Sequence, residues 1–139
     1  RDTAALGLRS VRRIGRVPYD DALALLAGAD LALGIFGTTE KAARVVPHKV
    51  YQALAIGVTV VTRRSPAISE LFPDPAPMML VAPGDPDALA SAIEALAADP
   101  ERRDRLGAEG RASATRIGTP ERVGDALLEG IRRARGERR

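Results

Sequence analysis

Three short apolar runs, DLALGIF at 30–36, VTVVT at 58–62 and MMLVA at 78–82, are each followed by a segment of helical character, and this alternation most constrains what the chain can become. None of the runs alternates apolar with polar side chains as a half-wet strand would, so each reads as a strand covered on both faces. VTVVT is β-branched throughout, which strengthens the strand reading there. Strands alternating with helices predict an α/β fold, a Rossmann-like parallel sheet with helices on both faces.

The remaining elements fall between these runs. Residues 1–8 resemble the last turns of a helix ended by Gly7, and Ser10 to Ile14 reads as a further strand. Asp20 or Asp21 is expected to cap a helix that buries Leu23, Leu26 and Ala27 and stops at Gly28. Pro47 suits the first position of a helix with a buried stripe of Val50, Ala53 and Leu54, closed by Gly57. A short helix then runs to Leu71, and Asp85-Pro86-Asp87 opens another that carries Leu89, Ala92, Ile93 and Leu96. From Glu101 onward only helices follow, one to about Thr115 and one over 119–135 with a basic end. A doubly wound domain has about six strands, so four imply that the first strand-helix unit is lacking. The organisation expected is a sheet domain over 1–118, truncated at its start, and a carboxyl-terminal helix and basic tail over 119–139. The chain opens at Arg1 with neither an initiator Met nor a leader pattern and reads as a fragment.

Composition narrows the chemistry. With 139 residues, 45% of them apolar, the chain has enough material for a core, and with no Cys it has no thiol nucleophile, disulfide or thiolate metal site. Any chemistry must use oxygen and nitrogen groups. The formal net charge of +3 comes from interleaved signs, and the aromatics are only Tyr19, Phe36, Tyr51 and Phe72, which argues against nucleic acid as a partner. Only Lys41 and Lys49 are lysines among 21 cationic side chains. Where arginine is so strongly preferred, a lysine is a candidate for a specific role.

In an open parallel sheet, ligands sit beyond the carboxyl ends of the strands. That rim brings together the polar loop 37–46, the start of the helix at Pro47 and the Arg63-Arg64 turn. The first N–H groups of a helix lack helical partners and favour an anion. Lys49 stands in that first turn, with Gln52 three residues on and on the same face, so a phosphate cradle with a polar amide beside it is expected. The same spacing also fits ordinary solvated residues on an amphipathic helix. Glu40 and Lys41 in the loop are further candidate contacts.

The ordered segments ADLALGIFG, PHKVYQALAIGVTVVT, SPAISELF and MMLVAPGDPDALASAIEALAADPERRDRL together resemble the carboxyl-terminal half of GT-B glycosyltransferases of the large group that includes family 4. The resemblance spans roughly residues 9–115. It implies that the 1–118 domain binds a nucleotide diphosphate sugar, with Lys49 as the catalytic cation and donor contacts from Gln52, Arg44, Val46, His48, Glu70 and Arg63. Two glutamates separated by seven residues line the family site; Gln52 stands at the second position and Arg44 at the first, so a carboxylate acceptor has become a cationic donor. Ser65-Pro66 replaces a common Gly-Gly pair. The implied reaction transfers a glycosyl group to an acceptor held by an amino-terminal domain, without metal or cofactor, and this portion alone would be inactive. Asp85-Pro86-Asp87 spells the D-x-D of a different, metal-using glycosyltransferase fold, but at a helix start it reads as a cap. A cytoplasmic location is expected, with peripheral membrane contact through the Arg-rich end as an option. The alternative is a noncatalytic α/β ligand-binding or protein-interaction module, favoured by the Arg44 and Gln52 departures.

Overall fold

The computed structural model describes Gly7 and residues 10–136. Three parallel strands, β1 (Leu31–Leu33), β2 (Thr59–Arg63) and β3 (Met79–Val81), form one sheet in the order β1-β2-β3. Val60 and Val61 sit side by side in sequence and point into different layers, as the two-residue period of a strand requires. On one face Ala32 and Val60 pack with Val50, Ala53 and Leu54 of α3 (His48–Ile56), and with Ile68 and Phe72 at α4 (Pro66–Leu71). On the other, Val61 and Val81 pack with Ala92 and Leu96 of α5 (Pro86–Ala98). Helices thus cover both faces, the Rossmann-like arrangement expected. Each fully buried aliphatic side chain, Leu54 among them, contributes about 2 kcal/mol.

The predicted α3 stripe is the buried face of the helix, and Gly57 closes it in the left-handed conformation at φ 94°, which only glycine adopts without strain. Close behind lies α6 (Pro100–Ile117), whose Gly107 and Gly110 bring its backbone against Gly57 and Leu54. Arg103 of α6 donates to the Leu96 and Ala97 carbonyls at the end of α5 and forms an ion pair with Asp30 at 3.5 Å. The last helix, α7 (Pro120–Ala134), packs against α6 and leaves Val123, Leu127, Leu128 and Ile131 exposed.

Several expectations need correction. Residues 10–14 form no strand: they are exposed and do not join the sheet, although the outer edge of β1 is open among the described residues. The run 30–36 contributes only Leu31–Leu33 as regular strand, and Leu33 is 42% exposed rather than covered, since among the described residues β1 is an edge strand. The helix α1 (Tyr19–Ala27) starts after Pro18, with Asp20 and Asp21 inside its first turn instead of at the cap. The loop 37–46 holds a one-turn helix, α2 (Glu40–Arg44), capped by the Thr39 hydroxyl. Pro47 is the residue before α3, not its first helical position. The helix expected over 1–8 lies outside the described residues except for Gly7, whose φ of 63° suits a cap.

Candidate functional site

The rim beyond the carboxyl ends of the strands is stitched by backbone. Gly34 N donates to Val61 O, Arg63 N to Ile35 O, Arg64 N to Val81 O and Gly84 N to Phe36 O, at 2.8–3.1 Å. The segments that leave the three strands are therefore fixed to one another. Thr62 adds a side-chain stitch: its Oγ1 accepts from Ile35 N at 3.3 Å and faces Gly34, which has no room for a Cβ.

Lys49 is exposed in the first turn of α3 and lines a cleft of about 340 Å³ with Leu25, Leu33, Gly34 and Val50, along the unpaired edge of β1. The amino end of α3 differs from those of the other long helices. The side chains of Asp85, Asp99 and Thr119 cap α5, α6 and α7, and α1 carries two acids in its first turn, whereas α3 has neither a side-chain cap nor an acid. Val50 N donates to Pro47 O at 2.9 Å, so the His48 and Lys49 N–H groups and the positive dipole end are what remains without a side-chain cap or an acid. His48 is exposed beside Lys49, while Val46 is half-buried against the α3-side core.

Gln52, which was expected to line the site freely, gives its side-chain NH₂ to the Tyr19 hydroxyl at 3.2 Å and so ties α3 to α1. The sequence offered no pairing signal for Tyr19, which lies 33 residues away. A second cleft of about 470 Å³ opens between α2 and α4, lined by Glu40, Ala43, Arg44, Pro66, Ala67 and Glu70. The fold thus brings Arg44 and Glu70 together, along with Glu40, but not with Lys49, which lines the other cleft. Arg44 spends part of its charge on Glu40 at 3.1 Å, although both are well exposed and the pair adds little stability. Lys41 is exposed on α2 and borders neither cleft.

Arg63, expected among the donor contacts, is buried. It is the last residue of β2, 7% exposed, and donates through Nη1 to Gly37 O and through Nε to Arg64 O. It has no carboxylate partner among the described residues. Asp85 accepts from Ala88 N at 2.8 Å and is a cap, as expected. Among the described residues no three His, Asp or Glu side chains gather as a metal site would, and no helix is long and apolar enough to cross a membrane.

No curated protein matches the chain significantly. Among solved structures it is similar to sucrose-phosphate synthase from Thermosynechococcus elongatus, at 20% identity and a TM-score of 0.69. The similarity covers 90% of this chain and 30% of that one, so the chain spans less than a third of the protein it matches. At that identity the likeness shows the fold, which is that of a GT-B glycosyltransferase fragment. The profile described as "Glycosyl transferase-like" matches residues 2–129, through both clefts and the stitched rim, and the chain belongs to that family.

Proposed function

We propose that the chain is the donor-binding portion of a glycosyltransferase that moves a sugar from a nucleotide diphosphate sugar to an acceptor, and that Lys49 with the amino end of α3 receives the diphosphate. The observation that carries this reading is the uncapped, acid-free start of α3 with Lys49 exposed at the mouth of a cleft. In the transition state for glycosyl transfer, charge builds on the departing diphosphate. Donors already aimed at that position cost no reorganisation, and each is worth up to about 3 kcal/mol by analogy with oxyanion sites.

The second cleft suits the rest of the donor. Arg44 offers donors, and Glu40 and Glu70 offer acceptors, to hydroxyl groups. Gln52 keeps its carbonyl oxygen available for a ribose hydroxyl even while its amide is held by Tyr19. His48 and Val46 border the diphosphate, and neither a metal nor an organic cofactor takes part. The acceptor belongs to a separate amino-terminal domain, so residues 1–118 alone bind donor without turning it over, and residues 119–139 serve as a helical extension. The reaction is placed in the cytoplasm, with the Arg-rich end as an option for peripheral membrane contact.

Inorganic pyrophosphate titrated into the intact protein by calorimetry tests the phosphate assignment. Lys49→Ala should weaken binding at least tenfold. Equal affinity in the two proteins would remove Lys49 from the site and favour the noncatalytic module.

A further inference from the structure

Arg63 is a buried cation with no buried counter-charge among the described residues, and its position explains why the fold tolerates it. A guanidinium withdrawn from water loses its hydration, and the loss must be offset by well-placed acceptors. Here the acceptors are two backbone carbonyls, those of Gly37 and Arg64. Gly37 lies two residues before Thr39, whose hydroxyl caps α2, and Arg64 lies one residue before Ser65, whose hydroxyl caps α4. Those two helices are the opposite walls of the 470 Å³ cleft that Glu40, Arg44 and Glu70 line. One planar side chain therefore bridges the two loops from which both walls start.

We propose that Arg63 is a positioning residue that sets the width of the α2–α4 cleft, and through it the fit of the donor. That the cleft takes the donor rests on the reading given above; the clamp itself does not. The alternation of β2 supports a role beneath the site rather than inside it. Arg63 shares the parity of Val61, which packs toward α5, while α3 and Lys49 belong to the opposite face. Lysine is a poor replacement, because a point charge on a flexible stem does not reproduce a rigid fork spanning two acceptors.

These 139 residues contain no cysteine, and any cysteine elsewhere in the intact protein is replaced by serine before labelling. Spin labels at Ala43→Cys and Ala67→Cys, on the two walls, should give one narrow distance distribution in the intact protein. A control pair at Ala55→Cys and Ala108→Cys, both exposed on α3 and α6, should do the same. Arg63→Gln and Arg63→Lys should broaden the wall pair and leave the control pair narrow. They should also raise KM about tenfold, with kcat within threefold, for whichever donor a panel of nucleoside diphosphate sugars identifies, and leave pyrophosphate affinity within twofold. A wall pair that stays narrow, or both pairs broadening together, overturns the clamp, and an unchanged KM beside a broadened wall pair overturns its effect on the fit of the donor. Loss of pyrophosphate binding in the unmodified protein, or a panel with no donor, overturns the donor reading instead, and the label distances still decide the clamp.

Discussion

Gln52 donates its side-chain amide to the Tyr19 hydroxyl across 3.2 Å, joining α3 to α1 one turn beyond Lys49. The bond is exposed, so its net contribution to stability is small, about 0.5 kcal/mol or less. Its effect is on orientation: it holds the side chain with its carbonyl oxygen as the remaining polar group. Gln52→Ala should then weaken a nucleoside diphosphate by about tenfold while leaving inorganic pyrophosphate unchanged, because only the former carries ribose hydroxyls. Calorimetry with both ligands checks this, and an equal loss for both would place Gln52 at the phosphates.

Gly34 and Thr62 approach so closely that a methyl at Gly34 would lie 2.2 Å from Thr62 Oγ1 and 2.5 Å from Thr62 Cβ. Neither neighbour is the free end of a flexible side chain. Thr62 is fully buried in the central strand, and Gly34 is bonded through its N–H to Val61 O. Gly34→Ala must displace the β1 tip from β2, at a cost of about 3 kcal/mol. Denaturant unfolding should show that loss, and a midpoint within error of the parent would mean that the rim absorbs the methyl without strain.

These two contacts illustrate what could be read in advance and what could not. The α3 stripe of Val50, Ala53 and Leu54 was legible because a helical period and a terminal glycine are local signals. The burial of Arg63 was not, since a cation after VTVVT reads as the chain leaving the sheet, and its acceptor at Gly37 lies 26 residues away. Helix α2 carried a readable start in Thr39-Glu40, but five residues give too short a period to separate it from a loop. The convergence of Arg44 with Glu70 depends on α2 packing beside α4, a tertiary fact without a local signature. Residues 10–14 show the converse, a strand-like composition in a segment that joins no sheet.

Tyr51 is half-buried against the α3-side core, and burial pushes its phenol above the usual value because the phenolate is poorly solvated there. The folded state therefore keeps its proton to higher pH than the unfolded chain does. Its contribution to stability is intact below the unfolded value near 10 and is lost as pH rises through the folded value. Thermal midpoints measured from pH 8 to 11 should fall more steeply in the parent than in Tyr51→Phe above about pH 10. Parallel curves would show that the phenol is as well hydrated in the fold as out of it.

Asp85 distinguishes a structural from a metal-binding reading of Asp85-Pro86-Asp87. Its Oδ1 accepts from Ala88 N at 2.8 Å, and Asp87 lies in the first turn of α5, where a negative charge complements the helix dipole. A cap needs only an acceptor oxygen, so Asp85→Asn should keep stability within about 0.5 kcal/mol and Asp85→Ala should lose about 1 kcal/mol. A metal ligand behaves differently, because asparagine lacks the charge that holds a divalent cation. Transfer activity of the intact protein should therefore survive Asp85→Asn and treatment with a chelator. Loss of activity in Asp85→Asn with stability unchanged, reversed by added Mn²⁺, would assign the motif to a metal and require the diphosphate to be neutralised at α5 rather than at Lys49.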